Sequence, residues 1–219
     1  MSSNQADITL IDSVVPDTTS VYGQAKHALL ERKDSHLAAM QRIDECQTAL
    51  IRATELLTKT LGNGHTVLTL GNGGSAAEAQ HFAAELVGRF RLERRAYPVL
   101  ALTTDSSILT AVANDYGYDD VFSRQIEAFA REGDLVIAFS TSGESRNAVQ
   151  AAVAARKHGA MVIAMTGSRM STLGQSADIV VQAPSADTPT IQELHTLFTH
   201  VLCDVAESAL SRHQGGSVV

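Results

Sequence analysis

Cysteine is scarce in this sequence, and a long apolar run is absent from it. The 219 residues include two cysteines, Cys46 and Cys203, which lie far apart and show no Cys-x-x-Cys spacing. We therefore predict two small buried residues in a reducing compartment. No apolar stretch reaches the roughly 18 residues that suggest a membrane-spanning helix, so we expect no membrane partner.

An excess of positive charge and a secretion signal are also missing. The formal net charge is −7, which argues against a general nucleic-acid-binding protein. The first residues show no basic start followed by an apolar run, so we predict no signal peptide. The hydrophobic fraction of 44% and the charged fraction of 19% are typical of a globular protein. We expect a cytoplasmic enzyme without a nucleic-acid partner.

The length suits one α/β domain with a sizeable core. We predict a flexible N-terminal arm, a single domain and a flexible tail, over residues 1–20, 21–213 and 214–219. Apolar residues from about 21 to 61 recur at steps of three, four or seven, which predicts one long amphipathic helix or two helices in series. Because this length is unusual for a helix packed only on its own domain, we expect it to pair subunits.

The rest of the chain alternates between short apolar runs and helix-forming stretches. The runs predict five strands, at about 66–70, 98–102, 135–139, 161–166 and 178–182. Helices are predicted between them at about 75–89, 106–113, 120–131, 146–158 and 169–175, and a long last helix is predicted from about 188 to 212. Because the runs are continuously apolar, both faces of the sheet should be covered. We predict a three-layer α/β sandwich around a five-stranded parallel sheet, which binds ligands at the carboxyl ends of its strands.

Two loops of similar chemistry follow the first and third predicted strands. The first is Gly71-Asn72-Gly73-Gly74-Ser75, and the second is Ser140-Thr141-Ser142-Gly143-Glu144-Ser145. Each leads into a predicted helix, whose first N–H groups and dipole favour an anion such as phosphate. The alternatives are a tight turn that merely needs glycines and an ordinary cluster of N-cap hydroxyls. The pair of loops favours a ligand with a phosphate at one end and polar groups at the other.

Two predicted helices carry residues that could act together. His81 and Glu85 are four apart and share a helical face, and Gln192 and His200 are eight apart on the last helix. Two imidazoles, a carboxylate and an amide would suit a divalent metal such as zinc. Glu85 and His200 could instead act as an acid/base pair without metal. A lone histidine on a helix is more often an ordinary core or surface residue, and spacing does not show that the helices meet.

The motifs resemble a known family. The run from Gly71 to Glu85 resembles the opening of a sugar isomerase (SIS) domain and, more narrowly, that of the phosphoheptose isomerases. Further segments that carry the resemblance are Asn114–Tyr118, Phe122–Gln125, Glu132–Asp134, Ser140–Ser145 and Pro184–Glu193. Together they span about residues 35 to 210 in the family's order. The resemblance implies a flavodoxin-like SIS fold and an aldose–ketose isomerase that converts sedoheptulose 7-phosphate to D-glycero-D-manno-heptose 7-phosphate through an enediol.

The resemblance also implies roles for individual residues. Glu85 would be the catalytic base and His200 the partner acid. One Zn²⁺ per subunit would be held at the positions of His81, Glu85, Gln192 and His200. The phosphate would be bound by Ser140, Thr141, Ser142 and Ser145. The sugar would contact Asn72, Gly73, Gly74 and Ser75, with Arg89, Asp115 and Gln192 as further candidates. The assembly would be a homotetramer whose active sites lie at subunit junctions.

A binding protein is the main alternative to an enzyme. A related, non-catalytic SIS branch binds the bacterial replication initiator DnaA and resembles this chain at His81-Phe82-Ala83-Ala84-Glu85. That branch lacks a histidine at the position of His200, which is present here. A sugar-phosphate-sensing domain would usually accompany a DNA-binding module, and the chain has no room for one. We therefore predict an enzyme; the pathway that its product feeds stays open.

Overall fold

The computed structural model describes residues 20–212. Apart from Ser20, the predicted arm at 1–20 and the predicted tail at 214–219 lie outside the described residues. The N-terminal part forms two helices in series, α1 (Val21–Met40) and α2 (Gln47–Gly62), with a 3₁₀ turn at Ile43–Cys46 between them. Contacts divide the described residues into two compact units with the boundary between Ala38 and Ala39, so most of α1 belongs to the first unit. A single domain that includes this helix stays a prediction.

The second unit is built on a five-stranded, all-parallel sheet, which confirms the predicted fold class. The strands are β1 (Val67–Gly71), β2 (Val99–Ala101), β3 (Leu135–Phe139), β4 (Met161–Thr166) and β5 (Ile179–Gln182), in the order β2-β1-β3-β4-β5. β1 and β3 are neighbours, with Val67 opposite Leu135 and Gly71 opposite Phe139. All residues of these two strands are buried, as their continuous apolar runs require.

Six helices follow β1 in the described part of the chain. They are α3 (Gly74–Val87), α4 (Ser106–Asp115), α5 (Ser123–Phe129), α6 (Arg146–Lys157), α7 (Thr172–Gln175) and α8 (Thr188–Arg212). α7 is shorter than the predicted 169–175, because the Ser171 side chain accepts a hydrogen bond from Gly174 N and caps the helix there. A separate 3₁₀ turn at Tyr118–Asp120 precedes α5, which was predicted to begin at 120.

Two apolar cores fill the two sides of the sheet. Alternate residues of β3 point into them, with Ile137 and Phe139 in one core and Val136 and Ala138 in the other. The first core contains side chains from α2, α3 and α8, and the second contains side chains from α5 and α6. These are the three layers that the sequence predicts. Since α3 and α8 pack together on one side of the sheet, the two helices that carry the candidate residues meet.

None of the helices within residues 20–212 is both long enough and apolar enough to cross a membrane.

Candidate active site

The two predicted anion loops lie side by side at the carboxyl ends of β1 and β3. In the first loop, Gly73 has a φ of 57° and is the N-cap of α3, where no side chain caps the helix. Gly74 lies against the amide of Gln192, and a Cβ at this position would overlap that amide. The glycines are therefore needed for the turn and for a close approach of α8, while the first N–H groups of α3 are left without a side-chain cap.

An amide pair joins the first loop to the second. Asn72 Nδ2 donates to Asn147 Oδ1 at 2.9 Å, and Asn147 Nδ2 donates to Asn72 Oδ1 at 3.0 Å. The hydroxyl of Tyr118 donates to the same Asn72 oxygen at 3.0 Å. Asn147 is 3% exposed and lies in the first turn of α6. Asn147 is not among the residues that the sequence motifs predict for the site, and its place just after the hydroxyl-rich loop is the signal that could have indicated it.

The second loop presents hydroxyls around a glycine. Ser140 Oγ lies 3.0 Å from Ser145 Oγ and accepts from Gly143 N at 3.1 Å. Gly143 has a φ of 67°, and a Cβ there would overlap Ser171. Ser145 is the N-cap of α6 but makes no side-chain capping bond, which disfavours the ordinary N-cap alternative. The start of α6 therefore offers backbone N–H groups, the positive end of a dipole and serine hydroxyls to an anion.

Two other residues of the second loop have structural partners. Ser142 is exposed, and its Oγ accepts from Glu144 N at 3.1 Å. The Glu144 carboxylate accepts from Thr172 Oγ1 at 2.6 Å and from Thr172 N at 2.9 Å, so it caps α7. These two hydrogen bonds hold the pKa of Glu144 below its usual range, and the one from the Thr172 side chain has the larger effect. Glu144 thus fastens the loop to α7.

The structure brings His81, Glu85 and His200 together. His81 Nε2 lies 3.1 Å from His200 Nε2 and 3.6 Å from Glu85 Oε1. One nitrogen or oxygen from each of the three side chains falls within a cluster in which all separations are at most 4.8 Å. The side chains of His81 and Glu85 are 38% and 22% exposed, so the cluster can be reached from solvent. Proton transfer between a carboxylate and an imidazole is chemistry that this geometry permits.

The same three side chains fit a metal ion. The two facing Nε2 atoms can share a proton only if one ring is the donor tautomer, whereas both lone pairs can point at one cation. Ligands at about 2.0 Å around a tetrahedral Zn²⁺ lie about 3.3 Å from one another. The observed 3.1 Å and 3.6 Å separations are close to that value. Imidazole and carboxylate are ligands that zinc accepts.

Three further predicted site residues have other neighbours in the isolated chain. Gln192 is two turns before His200 on α8, and its amide lies against Gly74. Arg89 is exposed and pairs with Glu93 at 3.9 Å. Asp115 ends α4, is exposed and accepts from Asn114 Nδ2 at 2.8 Å. Their predicted roles in binding stay predictions.

Glu78 is a further buried residue on the same face of α3, and it is not among the residues that the sequence motifs predict for the site. It is 9% exposed, and its Oε2 accepts from Thr196 Oγ1 at 2.8 Å. Its Oε1 has no hydrogen-bond partner in the described part of the chain. Glu78, His81 and Glu85 follow the i, i+3, i+7 spacing of one helical face, which is the signal that could have indicated it.

Comparisons with known proteins identify the family of this chain. A SIS domain model matches residues 33–167. A phosphoheptose isomerase of Aliarcobacter butzleri is 48% identical over 187 residues, covering 85% of this chain and 99% of that protein. One of Geobacter sulfurreducens is 50% identical over 174 residues, covering 80% and 91%. The solved structure of a phosphoheptose isomerase from Neisseria gonorrhoeae superposes with a TM-score of 0.79 at 38% identity, covering 84% of this chain and 99% of that one. The chain belongs to the phosphoheptose isomerase family of SIS-domain proteins.

Proposed function

We propose that this protein is an aldose–ketose isomerase that converts sedoheptulose 7-phosphate to D-glycero-D-manno-heptose 7-phosphate. The observation that carries the proposal is the meeting of Glu85 and His200 across α3 and α8, in a chain that also has two helix N-termini without side-chain caps. The names of the relatives, which match over most of their length, support the same substrate. His200 and the intact Ser140–Ser145 loop favour catalysis over the DnaA-binding alternative.

The reaction needs one base and one acid, because it moves protons and the position of the carbonyl group while every carbon–carbon bond stays intact. The Glu85 carboxylate removes the proton from the carbon next to the carbonyl, and His200 gives a proton to the carbonyl oxygen. The enediol then takes a proton back at the neighbouring carbon while its other hydroxyl loses one, so the carbonyl has moved by one position. Negative charge develops on the substrate oxygens during these steps, so hydrogen-bond donors or a cation placed at those oxygens would stabilise the transition state.

One Zn²⁺ per subunit is part of the proposal. His81, Glu85 and His200 would hold it, with Gln192 as a fourth ligand. When bound, it would act as a Lewis acid on the substrate oxygens. The imidazoles and the carboxylate of the cluster support this assignment, since they are suitable ligands at suitable separations.

The two loops would bind the two ends of the substrate. Hydroxyl and N–H groups of the second loop and α6 would bind the phosphate, through Ser140, Thr141, Ser142 and Ser145. The first loop would bind the sugar end, through Asn72, Gly73, Gly74 and Ser75. Arg89 and Asp115 are exposed in the isolated chain, so a neighbouring subunit is the natural place for their contacts.

We further propose that the protein acts as a cytoplasmic homotetramer with active sites between subunits. A groove of about 800 Å³ runs between α2 and α8 and is lined by apolar side chains such as Leu50 and Val205. Ile51 and Val205 on its walls are 52% and 47% exposed. A second copy of the chain would cover this surface, since large exposed apolar patches usually mark an interface.

Purified protein incubated with sedoheptulose 7-phosphate tests the function. We expect formation of the heptose 7-phosphate, and a loss of two to four orders of magnitude in turnover for Glu85→Gln and for His200→Ala. Glu127→Gln is the matched control, because Glu127 is an exposed carboxylate on α5 that pairs with Arg124. Near-wild-type turnover in either of the first two variants would remove the acid/base assignment.

A further inference from the structure

A buried ion pair joins the segment after α3 to the C-terminal half of α8. Arg94 Nε and Glu207 Oε1 are 3.0 Å apart, and both side chains are 1% exposed. Arg94 is in the segment that follows α3, and Glu207 is on α8, seven residues after His200. Seven residues are two helical turns, so Glu207 and His200 lie on the same side of α8.

Glu207 uses both carboxylate oxygens to bind the segment after α3. It accepts from the backbone N–H groups of Phe90, Arg91 and Leu92, at 2.9, 2.7 and 2.8 Å. Burial acts to raise the pKa of Glu207, but these three N–H groups and Arg94 outweigh it and hold the pKa below its usual range. Glu207 therefore holds this segment against α8 as a charged carboxylate.

Arg94 binds the end of α3. Its Nη2 donates to the carbonyl oxygen of Glu85 at 2.9 Å, and its Nη1 donates to those of Leu86 at 2.9 Å and Gly88 at 2.7 Å. Carbonyl groups in the last turn of a helix lack partners within the helix and carry the negative end of its dipole. The guanidinium therefore satisfies the turn of α3 that carries Glu85.

The pair also reaches His200 through Phe90. Glu207 holds the backbone N–H of Phe90, and the Phe90 ring lies 5.6 Å from the His200 ring, centroid to centroid. One set of hydrogen bonds thus links the backbone of Glu85, the ring beside His200 and the helix that carries His200. We propose that Arg94 and Glu207 are positioning residues that hold Glu85 and His200 at the separation needed for proton transfer. This inference rests on the proposed function.

Glu207→Gln is the main test variant. The amide replaces one acceptor oxygen by an NH₂ group, so two of the four bound N–H groups face a donor whichever way the amide is oriented. We expect kcat to fall about 10- to 100-fold with KM within about threefold of wild type, since a small misplacement of reacting groups mainly slows the chemical step. Faster amide hydrogen exchange at residues 90–92 should accompany the fall in kcat.

Asp204→Asn is the matched control. Asp204 lies on α8 three residues before Glu207, and its carboxylate is 46% exposed and 3.7 Å from the Arg91 guanidinium. This variant makes the same carboxylate-to-amide change on the same helix without touching the buried pair. We expect its kcat, its KM and its exchange at residues 90–92 to match those of wild type.

Arg94→Lys is the second variant, because it keeps the charge but cannot reach all the acceptors of the guanidinium. Arg94→Lys should also lower kcat more than it changes KM. If Glu207→Gln does not fold, the kinetics of Arg94→Lys decide whether the ion pair positions the catalytic residues. Wild-type kcat per folded molecule in the decisive variant would overturn the inference and reduce the pair to a purely structural role. Absence of turnover in wild-type protein would instead overturn the proposed function, so the two failures are distinguishable.

Discussion

At the scale of single residues, His195 carries a buried imidazole that should make stability depend on pH. It is fully buried on α8, its Nε2 faces the Thr166 carbonyl at 3.2 Å, and its Nδ1 has no partner within the described residues. Burial lowers the pKa of His195 to about 4 from 6.5, against a smaller opposite effect of the Thr166 carbonyl. The folded protein therefore keeps this side chain neutral at pH values where the unfolded chain takes up a proton.

We expect the free energy of unfolding to fall as the pH is lowered from about 6.5 to about 4. In this window the unfolded state binds more protons than the folded state, so acid favours unfolding, by up to about 3 kcal/mol from this group. Denaturant unfolding at pH 7.0 and pH 4.5 measures the change. His195→Gln removes the titrating group and should show a smaller difference between the two pH values. An equal difference in the two proteins would assign the acid sensitivity to other groups.

The two cysteines should be unreactive in the folded protein. Cys46 and Cys203 are free and buried, as the sequence predicts. Burial raises the pKa of both thiols, and nearby Glu85 and Glu207 add to the effect at Cys203. Since the thiolate is the reactive form, we expect no labelling by a thiol reagent at pH 7.5 without denaturant. In denaturant, two thiols per chain should react; rapid labelling of the native protein would contradict the burial of one of them.

At the scale of elements, the second loop and α6 should act together on the phosphate. We expect Ser142→Ala to raise KM about tenfold or more and to leave kcat within a few-fold, because a hydrogen bond to a charged group contributes to substrate binding before and during reaction. Steady-state kinetics with sedoheptulose 7-phosphate measures both constants. Ser176→Ala is the control. Ser176 follows the last residue of α7, and its hydroxyl donates to the backbone carbonyl oxygen of Thr172. An unchanged KM for Ser142→Ala would argue against this loop as the phosphate site.

The sequence predicts the positions of the helices and strands better than it predicts which of them pack together. Strand positions follow from apolar runs, so the predicted 135–139 is the observed β3, and β1 differs by one residue at each end. The meeting of His81 with His200 was not predictable, because periodicity defines the face of each helix but not which helices pack together. The crossover from β1 to β2 fixes the side of the sheet on which α3 lies. α8 follows the last strand and connects to no further strand, so its packing against α3 depends on tertiary contacts.

At the scale of the whole molecule, buried polar contacts were the least predictable part. Asn147 and Glu207 look like surface residues in the sequence because amide and carboxylate side chains are usually exposed, although their spacing places each on the buried face of its helix. Their importance comes from backbone and side-chain groups that fold against them from 75 and about 115 residues away. Assembly is similarly hidden, because an exposed apolar wall such as that of Ile51 and Val205 becomes visible only once α2 and α8 are packed.

Active sites shared between subunits would make two inactive variants complement each other. Glu85→Gln removes the base, and Arg89→Ala removes an exposed arginine that we expect to reach a neighbouring site. If each site takes Glu85 from one subunit and Arg89 from another, co-assembled tetramers contain some sites in which both residues are wild type. Random assembly of equal amounts predicts that about a quarter of the sites are complete, so co-expression should restore about a quarter of wild-type activity.

The control for complementation is the mixture of the two purified proteins before subunit exchange. It should show only the summed residual activity of the single variants, and activity should rise only after co-expression or after unfolding and refolding together. A double variant that carries both changes in one chain should stay inactive when it is expressed alone. If the co-assembled variants also stay inactive while forming tetramers of normal mass, each site draws both residues from the same chain, and the exposed position of Arg89 has another cause.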